Sequence, residues 1–294
     1  MYTLKAYDIG DVWGGTRLYT GDKIPHLISA ATNFIAHNND SKAAIIPTLL
    51  WVGALGLANL GGLLMFYDGP TPPPGVFAEF DAIEALQDPT KTQRYPQLLD
   101  TEGTSSAAMD RTAISVQTYP NMPHDKMVDF LTWEWQQMST SLVPTVAPFG
   151  ISIVTVALQA IPAQLQAASV ATGGRNGSPL TMNPANGDKM WVEYDIQWKD
   201  PAGDEVCLQA LEKATKDGLA RHKEKYKCTL PTNYKSGDLR FAAYNPLFLN
   251  DAAPWQDVLA SYGPENYRRL QSIHDDVDPS GFMTSRQKGH FFRD

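Results

Sequence analysis

Hydrophobic and polar positions alternate most regularly at residues 190–198, where the pattern predicts a β-strand with one buried face. The face expected in the core carries Met190, Val192, Tyr194, Ile196 and Trp198. The opposite face carries Trp191, Glu193, Asp195 and Gln197. Shorter extended patterns at 112–120 and 151–156 predict further strands, so the chain is expected to build a sheet with one apolar side.

Apolar residues at helical spacing predict amphipathic helices at 22–36, 123–138 and 204–225, with a short helix near Asp81. Asp22 is expected to cap the first of these helices. The core-facing residues expected in the first helix are Ile24, Leu27, Ile28, Ala31, Phe34 and Ile35. Those expected in the third are Val206, Cys207, Ala210, Leu211 and Ala214.

Two further segments need a choice between structures. Residues 43–67 carry no charge and superficially resemble a membrane helix, but Pro47 and several glycines favour two buried strands, 44–52 and 63–68, joined by a Gly-rich turn. Residues 88–111 are polar and are expected to be irregular. Strands interrupted by helices that cover one side are typical of an α+β fold.

Composition narrows the classes of function. The chain has 294 residues and a formal net charge of -8, which disfavours nucleic acid and anionic membranes as partners. Cys207 and Cys228 are too few for a disulfide framework or a structural zinc site, leaving two incidental thiols or one optional bridge. The first residues do not form a secretory signal, so the default expectation for the compartment is the cytoplasm.

Candidate chemistry rests on carboxylates, because the sequence contains no phosphate loop, GxGxxG, HExxH, CxxC or GxSxG motif. Glu193 and Asp195 face the same way about 7 Å apart, as an acid/base pair would, or as the solvated side of a half-buried strand. Asp251 lies among apolar and aromatic residues such as Phe248 and Trp255. Desolvation there should raise the pKa of Asp251, which would suit this carboxylate to proton transfer. The alternative is that Asp251 only caps a turn.

Several segments together resemble one family. They are "DVWGGTRLYT", "NNDSKAAIIPTLL", "FLNDAAPWQDVLASYG" and "NYRRLQSIHDDVDPSGF". In order and spacing they are similar to the C-terminal half of berberine bridge enzyme-like FAD-linked oxidases. Among these, they resemble the fungal oxidases of secondary metabolism. The resemblance implies a domain that binds a small-molecule substrate, built on an antiparallel sheet covered on one face by helices and followed by a C-terminal helical segment.

The resemblance also assigns residues. Asn250 matches the Asn of the family's aromatic-x-Asn motif near the flavin ring, and Phe248 matches the aromatic position, so both would bind cofactor if FAD is bound. The next position, a tyrosine base in some members, is Asp251 here. A second family base, a Glu on the preceding strand, would fall within residues 173–180, which contain no carboxylate. Asp251 therefore becomes the first catalytic candidate, with Glu193 or Asp195 as the second.

By the same resemblance, residues 1–240 form the substrate-binding domain and 241–294 form a segment that packs on the flavin domain. That flavin domain would lie upstream of residue 1, so no cofactor is expected for this chain alone, and FAD only where a flavin-binding half is supplied. The apolar residues expected to need cover are Tyr262, Tyr267, Leu270, Ile273 and Phe282. A homodimer or a flavin-domain partner is therefore expected to dock through residues 248–282.

The sequence is compatible with two classes of function. The first is a cofactor-free isomerase or cyclase that uses acid/base catalysis in a pocket inherited from an oxidase. The alternative is an FAD-dependent oxidoreductase that works with a flavin-binding half, and a weaker one is a non-catalytic remnant.

Overall fold

The fold is built around a seven-stranded sheet in which neighbouring strands run antiparallel. The computed structural model describes residues 9–103, 111–173, 180, 182–286, 289 and 292. The strands are β1 (Asp11–Thr20), β2 (Ala43–Val52), β3 (Ala58–Tyr67), β4 (Lys91–Arg94), β5 (Arg111–Pro120), β6 (Ile151–Ile161) and β7 (Lys189–Trp198). Their order across the sheet is β4-β1-β3-β2-β6-β7-β5.

Helices account for most of the remaining described residues. They are α1 (Ile24–His37), α2 (Ala78–Asp81), α3 (Tyr95–Gly103), α4 (His124–Gln137), α5 (Val143–Val146), α6 (Ala163–Gly173), α7 (Asp204–Lys225), α8 (Leu239–Ala242), α9 (Val258–Ser261), α10 (Gly263–Val277) and α11 (Phe282–Arg286). The α+β fold and its antiparallel sheet, covered on one face by helices, are confirmed.

The two faces of the sheet differ as the alternation in β7 predicts. On the helix face, Val192, Tyr194 and Ile196 are fully buried in a core that includes residues of α1, α4 and α7. We call the other side the open face. On β7 it carries the half-buried residues Trp191, Glu193, Asp195 and Gln197. The open face is where side chains remain accessible to a ligand.

The predicted helix at 22–36 is confirmed in its inward face, since all six expected residues of α1 are buried. The prediction that Asp22 caps it is wrong. A short 3-10 turn at Gly21–Lys23 precedes α1, and Asp22 instead contacts the Thr20 hydroxyl and the Lys23 ammonium group. In α7, whose bounds match the prediction, Cys207 and Leu211 are buried. Val206 is 37% exposed, so the expectation that it faces the core is wrong.

The expectation of irregular structure at 88–111 is wrong for residues 91–103. Lys91–Arg94 form the short edge strand β4, which pairs with Asp11–Gly14 of β1. The following helix, α3, lies on the open face, where Tyr95 meets Phe66 edge to face and Leu98 is buried. The polar sequence hides these elements because an edge strand and a surface helix need few apolar residues.

Residues 43–67 form two strands, as predicted. β2 pairs with β3 along its whole length, with Ala43 opposite Tyr67 at one end and Val52 opposite Ala58 at the other. The connection contains a 3-10 turn at Gly53–Leu55 and a left-handed Gly56. No helix in the described part of the chain is long and apolar enough to span a membrane.

The C-terminal segment begins by crossing the open face and then wraps around the edge of the sheet at β5. The Thr118 hydroxyl donates to the Pro246 carbonyl at 2.6 Å. The buried Gln256 side chain donates to the Val116 carbonyl at 2.6 Å and accepts from the Val116 amide at 3.2 Å. These bonds tie the segment to the sheet, whereas the division into two domains at residue 240 stays a prediction.

Beyond this crossing lie α9, α10 and α11. A turn follows α10: the Gly281 amide donates to the Asp278 carbonyl at 2.9 Å, and Gly281 has a left-handed φ of 66°. The expectation that Tyr262 is part of an exposed apolar surface is wrong, because its side chain is only 4% exposed. Tyr267 and Leu270 are partly buried, whereas Ile273 and Phe282 remain exposed.

Candidate functional site

Three polar side chains from different parts of the chain meet on the open face. Nε2 of Gln159, on β6, donates to Oε2 of Glu193, on β7, at 3.0 Å. The same nitrogen donates to Oδ2 of Asp251 at 3.3 Å. Asp251 comes from the 3-10 turn Leu249–Asp251 in the C-terminal segment. One amide therefore joins two carboxyl groups, which we call the carboxyl pair.

The sheet register and an aromatic stack bring these groups together. In the β6–β7 pairing, Gln159 stands opposite Trp191, so its side chain lies diagonally across from Glu193. Phe248 stacks on Trp191 with ring centroids 4.3 Å apart and planes 6° apart. The Asp251 amide donates to the Phe248 carbonyl at 3.3 Å. The stack thus holds the turn that presents Asp251 to the sheet.

Burial raises the pKa of both members of the carboxyl pair. The pKa of Glu193 rises to about 7, chiefly through desolvation and then through the negative charge of Asp251. Desolvation also raises the pKa of Asp251, as predicted from its sequence neighbours, while hydrogen bonds from Glu193 and Gln159 oppose the rise. Two carboxyl groups in such contact titrate as a unit. The pair can hold one proton near neutral pH and accept or release it.

Asp195 lies on the same face as Glu193, as predicted, but has different partners. It accepts hydrogen bonds from the Thr112 hydroxyl at 3.0 Å and from Nε2 of Gln197 at 3.2 Å. Burial raises its pKa, and these two bonds oppose the rise. The direct partner of Glu193 is thus Asp251, and Asp195 belongs to a separate hydrogen-bonded group. The catalytic roles of all three carboxylates stay predictions.

The residues beside the pair suit an aromatic ligand such as a flavin ring. The Trp191 indole nitrogen is buried and has no hydrogen-bond partner among the described residues. A buried donor of this kind gains free energy from an acceptor on a ligand. Asn250 is exposed and Phe248 is half-buried, so both predicted cofactor contacts are accessible from the open face. The exposed Asn250 amide and the Phe248 ring are of the chemical types that contact a flavin edge, and their assignment as cofactor contacts stays a prediction.

Sequence reasoning missed Gln159 and the unpaired nitrogen of Trp191. Gln159 lies 34 positions from Glu193 and 92 from Asp251, and only the strand register brings the three together. Trp191 could have been found, because it shares the outward face of β7 with Glu193. Residues 173–180, where the family's second Glu base is expected to be missing, lie mostly outside the described residues.

Metal and thiol chemistry find no support elsewhere in the described residues. They contain no group of three or more His, Cys, Asp or Glu side chains that could hold a metal ion. Cys207 is buried and Cys228 is exposed, and both are free thiols. His222 packs against Tyr119 and Phe130 in the core.

Known proteins resemble this chain in sequence. No protein-family model matches the sequence. An uncharacterized FAD-linked oxidoreductase of Arthroderma benhamiae is 25% identical over 292 residues, which cover 96% of this chain and 53% of that protein. An FAD-dependent monooxygenase of Aspergillus calidoustus is 23% identical over 290 residues, covering 99% of this chain and 51% of the relative. The chain thus spans about half the length of these curated relatives.

Solved structures share the fold. The 6-hydroxy-D-nicotine oxidase of Arthrobacter nicotinovorans aligns with a TM-score of 0.57 at 13% identity, covering 92% of this chain and 52% of the oxidase. Berberine bridge enzyme-like protein 28 of Arabidopsis thaliana aligns with a TM-score of 0.55 at 12% identity, covering 96% of this chain and 57% of that protein. The resemblance stated from the sequence is confirmed: homologues are fungal FAD-linked oxidoreductases and monooxygenases, and the fold is that of berberine bridge enzyme-like oxidases.

Proposed function

We propose that this chain, a homologue of fungal FAD-linked oxidoreductases with the fold of the berberine bridge enzyme-like oxidases, is the substrate-contacting part of an FAD-dependent oxidoreductase. The observation that carries the proposal is the carboxyl pair, in which Gln159 joins Glu193 and Asp251 on the accessible side of the sheet. Oxidation of an alcohol or amine requires removal of a proton as well as a hydride. A carboxylate whose pKa is raised to about 7 suits the proton part of that task.

The residues of this chain would act in two ways. The carboxyl pair accepts the proton from a substrate hydroxyl or amine, and the Gln159 amide keeps both carboxyl groups oriented toward the substrate. Asn250 and Phe248, with the unpaired Trp191 nitrogen, would contact the cofactor. When bound, FAD supplies the hydride acceptor.

The cofactor-free isomerase or cyclase, the first hypothesis from the sequence, has less support. The curated relatives are FAD-linked, and nothing in the carboxyl pair is specific to isomerisation. Proton transfer by two carboxyl groups does not itself require a flavin, however. The two reactions differ in whether turnover survives removal of FAD.

The proposal extends to the partner. Ile273, Val277, Phe282 and Met283 are 46%, 74%, 60% and 49% exposed. Such a cluster of large apolar side chains is typical of an interface. We expect it to pack against a flavin-binding half, with a second copy of this chain as the other outcome that a test can reveal.

The test begins with flavin absorbance of the natural polypeptide that carries this sequence, before and after incubation with FAD and desalting. Retained flavin that is bleached anaerobically by members of an alcohol and amine panel supports the proposal. Glu193→Gln should abolish bleaching without loss of flavin, whereas Asp195→Asn, the matched change on the same strand face, should leave bleaching within about tenfold. Substrate conversion that continues after complete removal of FAD would overturn the proposal in favour of the isomerase or cyclase.

A further inference from the structure

An apolar cavity lies on the open face at a distance from the carboxyl pair. It has a volume of about 290 Å³ and lies between α3 and strands β2 and β3. Its lining includes Ile46, Leu64, Phe66, Tyr95, Leu98 and Leu99. The size is near the lower limit of ligand pockets, which is roughly 300 Å³. The surface of the lining is almost entirely apolar, so the part of a ligand that occupies the cavity must be apolar.

The strand register connects this cavity to the carboxyl pair. Glu193 stands opposite Ala157, Ala157 stands opposite Thr48, and Thr48 stands opposite Gly62. With a spacing of about 4.8 Å between strands, Thr48 lies roughly 10 Å from Glu193 on the same face. Ile46, which lines the cavity, is the next residue of β2 on that face. The row itself is built of small residues, Ala157, Thr48 and Gly62, so no large side chain of this row separates the two sites.

We propose that this cavity binds the apolar body of the substrate, while the hydroxyl or amine of the same molecule reaches Glu193 and Asp251. The inference rests on the proposed function, because it assumes that the substrate lies on the open face. It names the substrate class: a molecule with one protic group joined to an apolar chain or ring system long enough to cover roughly 10 Å of sheet. A small polar substrate, such as a free sugar, would leave the cavity lining exposed to water.

The first experiment measures binding without turnover, so that it stands apart from any flavin chemistry. The neutral fluorophore N-phenyl-1-naphthylamine is titrated into the protein and then displaced by linear primary alcohols of increasing length. Each added methylene should tighten binding about fourfold until the cavity is filled. Glu193→Gln should keep this dependence on chain length, because the carboxyl pair contacts only the hydroxyl end.

Variants identify the cavity as the site. Ile46→Trp fills it and should weaken fluorophore binding at least about tenfold, whereas the control Val206→Trp, on the outer side of α7, should have no effect. Should Ile46→Trp fail to fold, Leu99→Asp adds a charge at a lining residue that is 51% exposed and should also weaken binding. Phe282→Ser removes an exposed apolar side chain that does not line the cavity and should leave binding unchanged.

The outcomes separate this inference from the proposed function. Binding that is indifferent to chain length, or that is lost in Phe282→Ser and kept in Ile46→Trp and Leu99→Asp, overturns the cavity assignment while leaving the oxidoreductase untouched. If the natural polypeptide that carries this sequence never retains FAD, chain-length-dependent binding would support the cavity and count against the flavin reaction.

Discussion

The Tyr194 hydroxyl donates a hydrogen bond to Oε1 of Glu134 at 3.0 Å, and neither side chain is more than 1% exposed. Glu134, on α4, has no ion-pair partner in the described structure, and its Oε2 has no hydrogen-bond partner there. Desolvation therefore raises its pKa to about 8, against the opposing effect of the Tyr194 hydrogen bond. The folded protein keeps a proton on Glu134 at neutral pH.

This buried proton predicts how stability changes with pH. The unfolded chain releases the proton above a pKa of 4.5, whereas the folded chain releases it only above about 8. Between these values the folded state binds more protons, so the contribution of Glu134 to the free energy of unfolding falls as pH rises, by roughly 1.4 kcal/mol per unit at most. Above about pH 8 the contribution becomes constant. Urea unfolding at a series of pH values measures this slope.

Glu134→Gln is the control for that slope. The variant keeps the size of the side chain and cannot titrate, so its stability should fall less steeply between pH 5 and 8. The difference between the two proteins isolates Glu134 from other groups with raised pKa values, such as Asp188. Equal slopes in both proteins would show that Glu134 does not carry the buried proton.

The carboxyl pair predicts a shift in the pH dependence of turnover. The negative charge of Asp251 raises the pKa of Glu193, so Asp251→Asn should lower that pKa and move the rising limb of kcat/KM toward lower pH. Glu193→Gln should instead reduce kcat at least about a hundredfold with little change in substrate binding. The measurement is a pH–rate profile for each variant. Full loss of activity in Asp251→Asn, with an unshifted profile in Glu193→Gln, would transfer the role of base to Asp251.

Trp191 is expected to act as a positioning residue for Asp251. Trp191→Ala removes the stack under Phe248 and should free the 249–251 turn, lowering turnover about tenfold and stability by about 1–2 kcal/mol. Trp191→Phe keeps an aromatic stack but removes the indole N–H. Restored turnover and an unshifted pH profile in Trp191→Phe would identify stacking as the cause. A loss of flavin retention in Trp191→Phe alone would show that the nitrogen binds the cofactor.

The exposed apolar surface of α10 and α11 predicts association. Light scattering of this chain alone should detect self-association. Ile273→Ser combined with Phe282→Ser should reduce it, while Leu230→Ser, an exposed change outside this surface, should not. A monomer at every protein concentration tested would contradict self-association through this surface.

Some elements could be predicted from the sequence because local patterns determine them. The alternation in β7 correctly predicts that Met190, Val192, Tyr194 and Ile196 are buried. The apolar spacing in α7 predicts its bounds at Asp204 and Lys225. These features depend on contacts between one amphipathic element and one core. A periodic sequence is enough to specify them.

The carboxyl pair could be predicted only in part. Asp251 and Glu193 are visible as candidates, since one lies in apolar surroundings and the other on an outward strand face. Their contact depends on the β6–β7 register and on the path of the C-terminal segment, neither of which has a local signature. The mutual effect of two carboxyl groups on each other's pKa follows from that contact and was inaccessible for the same reason.

The hydrogen bonds between Gln256 and the backbone of Val116 have a consequence for the behaviour of the molecule in concentrated solution. β5 is an edge strand of the described sheet, and an uncovered edge strand presents free amides and carbonyls to a strand of another molecule. A single side chain occupies one amide and one carbonyl of that row, as a paired strand would. Removing the C-terminal segment would therefore convert a closed margin into a template for intermolecular β-pairing, and fibrous aggregates would be expected in addition to any loss of activity.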